Sequence, residues 1–98
     1  MEPDLERRIA ERLEILSALR KILIEDLDVR RPPEQIDPDT PLFGSGLGLD
    51  SVDAVELMVG VHSRLGANLP NGTAGYAAMR TLNTLVDQVI SQRREDAP

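Results

Sequence analysis

Between Val29 and Leu49 the chain carries Pro32, Pro33, Pro38 and Pro41, and then Gly44, Gly46 and Gly48. Proline removes backbone donors and fixes φ, and glycine admits angles that other residues avoid. No long helix or strand survives such a stretch. It divides the chain into one long segment before it and everything else after it. A connection of this length inside a compact domain is either functional or held down by its own side chains, and Leu42 and Phe43 are the expected tethers. Within it, Pro33-Glu34-Gln35-Ile36 is expected to form one helical turn.

The segment before the break reads as a helix from about Asp4 to Leu27. Its apolar residues Leu5, Ile9, Leu13, Leu16, Leu19, Leu23 and Leu27 recur at steps of three or four, which is one helical face. Pro3 suits the first helical position, and Asp4 and Glu6 suit the positive end of the dipole. After the break, a second helix is expected from Asp50 or Ser51 to about Leu65, stopped near Gly66. Thr73 to Arg80 reads as a short helix with Tyr76, Ala77 and Met79 facing inward. A last helix from Thr81 to about Arg94 carries Leu82, Leu85, Val86, Val89 and Ile90 on one side, with the tail Glu95-Asp96-Ala97-Pro98 expected to fray. No repeat and no sustained strand-like alternation is present. The fold class is therefore all-α: a four-helix bundle of three long helices and one short one, with a long loop between helices 1 and 2.

Composition sets the limits. Ninety-eight residues make a single domain, with a core expected over about residues 4–94. Phe43 and Tyr76 are the only aromatics, so that core is aliphatic. Without cysteine there is no disulfide or thiolate metal site, and a lone histidine, His62, rules out a multi-imidazole zinc site. The net charge of −6 opposes binding to nucleic acid backbone and favours basic protein surfaces. No apolar run approaches the ~18–20 residues that span a bilayer. Met1-Glu2-Pro3-Asp4 is acidic where a secretory signal would begin basic and turn apolar. A monomer in the cytoplasm, with no nucleic acid partner and no stable membrane insertion, is the expectation.

At ~100° per residue, Ala54, Leu57, Met58, Val61 and Leu65 share one side of the second helix, with Val55 at its edge. The opposite side holds Val52, Asp53, Glu56, Val59, Gly60 and Ser63. Valines set among carboxylates on an outward face mark a protein-binding surface. The plainer alternative is that Val52 and Val59 pack beneath the long loop. Ser51 stands where the glycine-rich loop meets this helix, and either Asp50 or Ser51 suits the N-cap. A nucleophilic serine needs a base within ~3 Å. His62 is eleven residues further along the same helix, ~16 Å away along its axis, and cannot serve. Asp50, Asp53 and Glu56 spread around the helix rather than converging, so no metal cage is expected. Gly44-Ser45-Gly46-Leu47-Gly48 lacks the Lys-Ser/Thr of a nucleotide-binding loop, and no strand precedes it.

The run from Pro41 to Leu57, and within it Gly48-Leu49-Asp50-Ser51-Val52-Asp53, resembles the acyl carrier proteins and their phosphopantetheine attachment motif. Leu65-Gly66, Leu69-Pro70 and Thr81-Leu82 fit the same family, so the resemblance spans roughly residues 4–94. It implies a carrier that catalyses nothing itself. Ser51 would receive a 4′-phosphopantetheine arm from coenzyme A on a separate phosphopantetheinyl transferase, which supplies the magnesium. Asp50 would belong to the attachment motif. Acyl groups would ride on the arm's thiol as thioesters. Val52, Asp53, Glu56 and Val59 would meet synthases, ligases and acyl-transferring enzymes through their basic docking surfaces, in transient and salt-sensitive contacts. The helix start would give the attached phosphate a favourable setting, and the preceding glycines would let a partner's backbone come close.

The departures are as informative. Where fatty-acid carriers continue the second helix with glutamates, this chain has His62, Ser63 and Arg64, and Asn71-Gly72-Thr73-Ala74-Gly75 replaces a usually acidic loop. The acidic surface is thus expected to stop after two turns. Together with a longer first helix, this points to a specialised carrier for fatty-acid, lipid or polyketide/polyene synthesis. A discrete aminoacyl or peptidyl carrier, or an unmodified helical interaction module, are the alternatives.

Overall fold

The computed structural model describes residues 2–96. Helix α1 spans Pro3–Lys21, with Pro3 in its first turn, Asp4 and Glu6 near its start and Arg20 and Lys21 at its end, each charge complementing the dipole. The expected helix to Leu27 does not continue as an α-helix. Ile22–Asp26 forms a π-helical turn in which the Leu27 N–H donates to the Ile22 carbonyl. Asp28 then takes a left-handed φ of 59°, which small polar residues tolerate, and the Val29 N–H reaches back to the Leu23 carbonyl at 2.8 Å. After a 3-10 turn at Pro33–Gln35 come α2 (Ser51–Leu65), α3 (Gly72–Ala78) and α4 (Leu82–Asp96). Among the described residues the sole extended pairing is one isolated bridge between Phe43 and Leu49. The tail expected to fray is helical through Asp96, and Ala97 and Pro98 lie outside the described residues.

The core is aliphatic. Ile15, Leu19, Ile22 and Leu23 from the first segment meet Leu57 and Val61 of α2, Met79, and Leu82, Leu85 and Val89 of α4. The regular stripe on α1 is only half used, because Leu5, Ile9 and Leu13 remain exposed. Arg12 bonds Asp87 at 2.6 Å, and Arg93 pairs with Glu11 at 3.1 Å. These exposed pairs border the α1–α4 seam, where Ile15 and Leu19 are buried with Leu82, Leu85 and Val89, while Leu5, Ile9 and Leu13 stay exposed.

The long loop is tied at several points. Ile36, Leu42 and Leu49 are buried. The Leu42 N–H donates to the Arg80 carbonyl at 2.9 Å, the Asn83 N–H to Pro38 at 3.1 Å, and the Arg20 guanidinium to the Ile36 carbonyl. Phe43, half-buried, meets Tyr76 edge to face with ring centroids 6.3 Å apart. Leu42 and Phe43 are the tethers the sequence indicated. In α3, by contrast, Tyr76 and Ala77 face solvent and only Met79, just beyond the helix, points inward as expected; Gly75 and Ala78 make the rest of its buried side. With two aromatics in the chain, the rim position of Tyr76 is set by Phe43 rather than by the core.

Candidate functional site

The site is built where the loop hands over to α2. The Gly46 backbone lies so close to Pro41 that a Cβ there would stand 1.7 Å from the Pro41 carbonyl oxygen, which itself accepts from the Leu47 N–H. Of the glycines expected to admit a partner's backbone, Gly46 admits this chain's own, whereas a Cβ at Gly44 would meet nothing within 4 Å. The loop folds back so that the Leu49 N–H bonds the Leu42 carbonyl at 3.0 Å and α2 begins on a fixed support.

Asp50 is the N-cap. Its Oδ1 accepts from the N–H groups of Val52 and Asp53, both at 3.0 Å, and the Asp53 carboxylate accepts from the Asp50 N–H at 3.0 Å, completing a capping box. This leaves Ser51 at the first helical position, exposed, with its hydroxyl in no hydrogen bond among the described residues. The open choice between Asp50 and Ser51 as cap is thus settled for Asp50. One expectation changes with it: the N–H groups of Val52 and Asp53, which would have favoured an anion at Ser51, are occupied by a carboxylate. An anion on Ser51 has acidic neighbours instead.

α2 is continuous from Ser51 to Leu65, so His62 is held about three turns from Ser51, ~16 Å along the axis. The bases beside Ser51 are the Asp50 and Asp53 carboxylates, and both are engaged in the capping box. Among the described residues no group of three or more His, Asp or Glu converges to hold a metal ion.

Val52 and Val59 are exposed at 63% and 62%, which removes the alternative that they pack beneath the loop. Val55, placed at the edge, is exposed as well. Glu56 is exposed, whereas Asp53 is half-buried in the capping box. Gly60, expected on the outward face, is buried: a Cβ there would stand 2.7 Å from Ile22 Cγ2 and 3.1 Å from Asp26 Oδ2. The π-helical turn is pressed against α2 at this glycine. Arg64 fastens it, donating to Asp26 at 2.9 and 3.2 Å and to Glu25 at 3.4 Å. The Asp26 hydrogen bond, with the Asp26 and Glu25 charges, raises the Arg64 pKa above the ordinary guanidinium value. Sequence reasoning placed the end of the acidic surface at Glu56. Tertiary packing brings Glu25 and Asp26 alongside the third turn of the same helix, a juxtaposition with no local sequence signal except a glycine in mid-helix.

A second groove, of about 200 Å³, lies between α2 and α3. Ala54, Val55, Met58, Gly75, Tyr76 and Met79 line it, Ala54 standing about one helical turn after Ser51. No helix among the described residues is long and apolar enough to cross a membrane.

The sequence model of the family described as a phosphopantetheine attachment site matches residues 17–89. That span takes in the last quarter of α1, the π-helical turn, the whole long loop, α2 and α3, and half of α4. Members are carriers rather than catalysts and work with phosphopantetheinyl transferases and synthase enzymes. The match covers well over half of the chain, whose described residues form a helical bundle, and the chain belongs to this acyl-carrier family, with covalent 4′-phosphopantetheine as its prosthetic group.

Proposed function

We propose that Ser51 is the attachment point and that the chain carries acyl intermediates for fatty-acid, specialised lipid or polyketide/polyene synthesis. The observation that carries this reading is the free, exposed Ser51 hydroxyl beside a capping box that does not use it. Modification of Ser51 therefore costs the helix none of its N-terminal hydrogen bonds. Ser51 Oγ attacks the pyrophosphate of coenzyme A, an oxygen–phosphorus bond forms, and adenosine 3′,5′-bisphosphate leaves. The hydroxyl proton goes to a base on the transferase, since the neighbouring Asp50 and Asp53 carboxylates are engaged with backbone N–H groups in the capping box. When attached, the arm supplies a terminal thiol that holds acyl groups as thioesters.

This chain's residues then position and present the arm. With Asp50 and Asp53 beside Ser51 and the nearby N–H groups occupied, these residues would hold an attached phosphodiester only weakly. Val52, Val59 and Glu56 form the face those enzymes touch, through a basic and partly apolar surface. Between visits, the groove between α2 and α3 shelters the proximal part of the cargo.

Intact mass after incubation with coenzyme A and a broad-specificity transferase tests the reading. A gain of one phosphopantetheine on the wild-type chain and none on Ser51→Ala is expected. An unmodified wild-type chain overturns it.

A further inference from the structure

An open, mainly apolar groove of about 280 Å³ runs between α2 and the π-helical turn, lined by Asp26, Val55, Glu56, Val59, Gly60 and Ser63. Val55, Val59, Gly60 and Ser63 recur at steps of four, one and three along α2, so they face the groove together. The missing side chain at Gly60 is what lets Asp26 Oδ2 overhang the helix at this point. Glu56 on α2 and Asp26 on the turn supply two carboxylates from two different elements. Glu56 makes no ion pair among the described residues, and Asp26, although held by Arg64, keeps about a third of its side chain exposed. A carboxylate has roughly four acceptor sites, and Arg64 uses two on Asp26.

We propose that this groove receives one long basic side chain, an arginine or lysine, from the enzymes that dock on α2. The stem lies on Val55 and Val59, and the charged head sits between Asp26 and Glu56. The occupant follows from complementarity: an apolar floor with acidic groups beside it fits a side chain that is aliphatic along its stem and cationic at its tip. Arg64 is the positioning residue, since its fork holds the Asp26 carboxylate over Gly60. The proposal rests on the carrier reading for the identity of the visitors, and it extends the docking face beyond α2 onto the end of the first helical segment.

The test uses the full-length, unmodified ¹⁵N-labelled protein and two capped tripeptides, acetyl-Leu-Arg-Leu-amide and its citrulline counterpart, which keeps the shape and removes the charge. The arginine peptide is expected to shift the amide signals of Asp26, Val55, Val59, Gly60 and Ser63. The citrulline peptide should bind roughly fivefold more weakly, about what one partly exposed ion pair supplies. Asp26→Asn and Glu56→Gln should each abolish that preference for charge, while Glu11→Gln, on the distant α1–α4 seam, should leave it intact. Equal affinity for the two peptides, shifts that map elsewhere, or no shift up to the solubility limit overturns the proposal. Intact mass of the same sample after transferase treatment is read separately. Groove binding without modification would sink the carrier reading alone, and modification without groove binding would sink the groove alone.

Discussion

Asp50 and Asp53 grip one another across the first turn of α2: each backbone N–H donates to the other's carboxylate at 3.0 Å. Ser51, which lies between them as the first helical residue, is thereby released from the work of capping the helix. Capping by Asp50 and the proposed attachment at Ser51 fall to neighbouring residues, and so they separate experimentally.

Ser51→Ala is expected to abolish loading with a stability change within about 0.5 kcal/mol, as for an exposed surface position. Asp50→Ala should cost about 1 kcal/mol through the lost cap. Intact mass and urea unfolding of the two variants check this. A Ser51→Ala protein as destabilised as Asp50→Ala would return the capping role to the serine.

Charge reversal separates Asp53 from Glu56. Both Asp53→Lys and Glu56→Lys should slow loading by the transferase, because both oppose a basic docking surface. Asp53→Lys should also lose about 1 kcal/mol of stability with the capping box, whereas exposed Glu56→Lys should stay within about 0.5 kcal/mol. Thermal melts alongside loading rates give the comparison.

Gly46→Ala should be among the most damaging single changes, costing about 3 kcal/mol or more. The added methyl meets the Pro41 backbone oxygen at 1.7 Å, and backbone cannot rotate away as a side chain can. Chemical unfolding measures the loss, and near-wild-type stability would show that the loop opens freely.

On α1, Leu19→Ala should cost about 2–5 kcal/mol, as a fully buried leucine does. Leu13→Ala, at 60% exposure, should be within about 0.5 kcal/mol. The two leucines lie on one periodic stripe, so equal losses would mean that α4 covers more of α1 than its ion pairs imply.

Acyl chains of increasing length on the arm should shift the NMR signals of Ala54, Met58, Tyr76 and Met79, which line the groove beside Ser51. Signals that stay fixed across the series would place the cargo outside the bundle.

The helices, the break between them and a cap at Asp50 or Ser51 were legible in the sequence because each is a local property. Apolar spacing of three and four makes a helix whatever lies next to it, proline and glycine forbid one, and Asp50-Ser51 is read from adjacent residues. The half-buried tether at Phe43 and the stop at Gly66 belong to the same class. What only the tertiary structure decided is which surfaces meet. Periodicity gives α1 a stripe, but its packing against Leu82, Leu85, Val86 and Val89 of α4 in the shared core leaves Leu16 buried and Leu13 exposed. Likewise, Gly60 reads as an outward residue until the π-helical turn packs on it and brings Asp26 to α2 from a separate part of the chain. Side-chain direction follows from one helix's own geometry, whereas burial and charge pairing depend on a second element whose placement no short window of sequence contains.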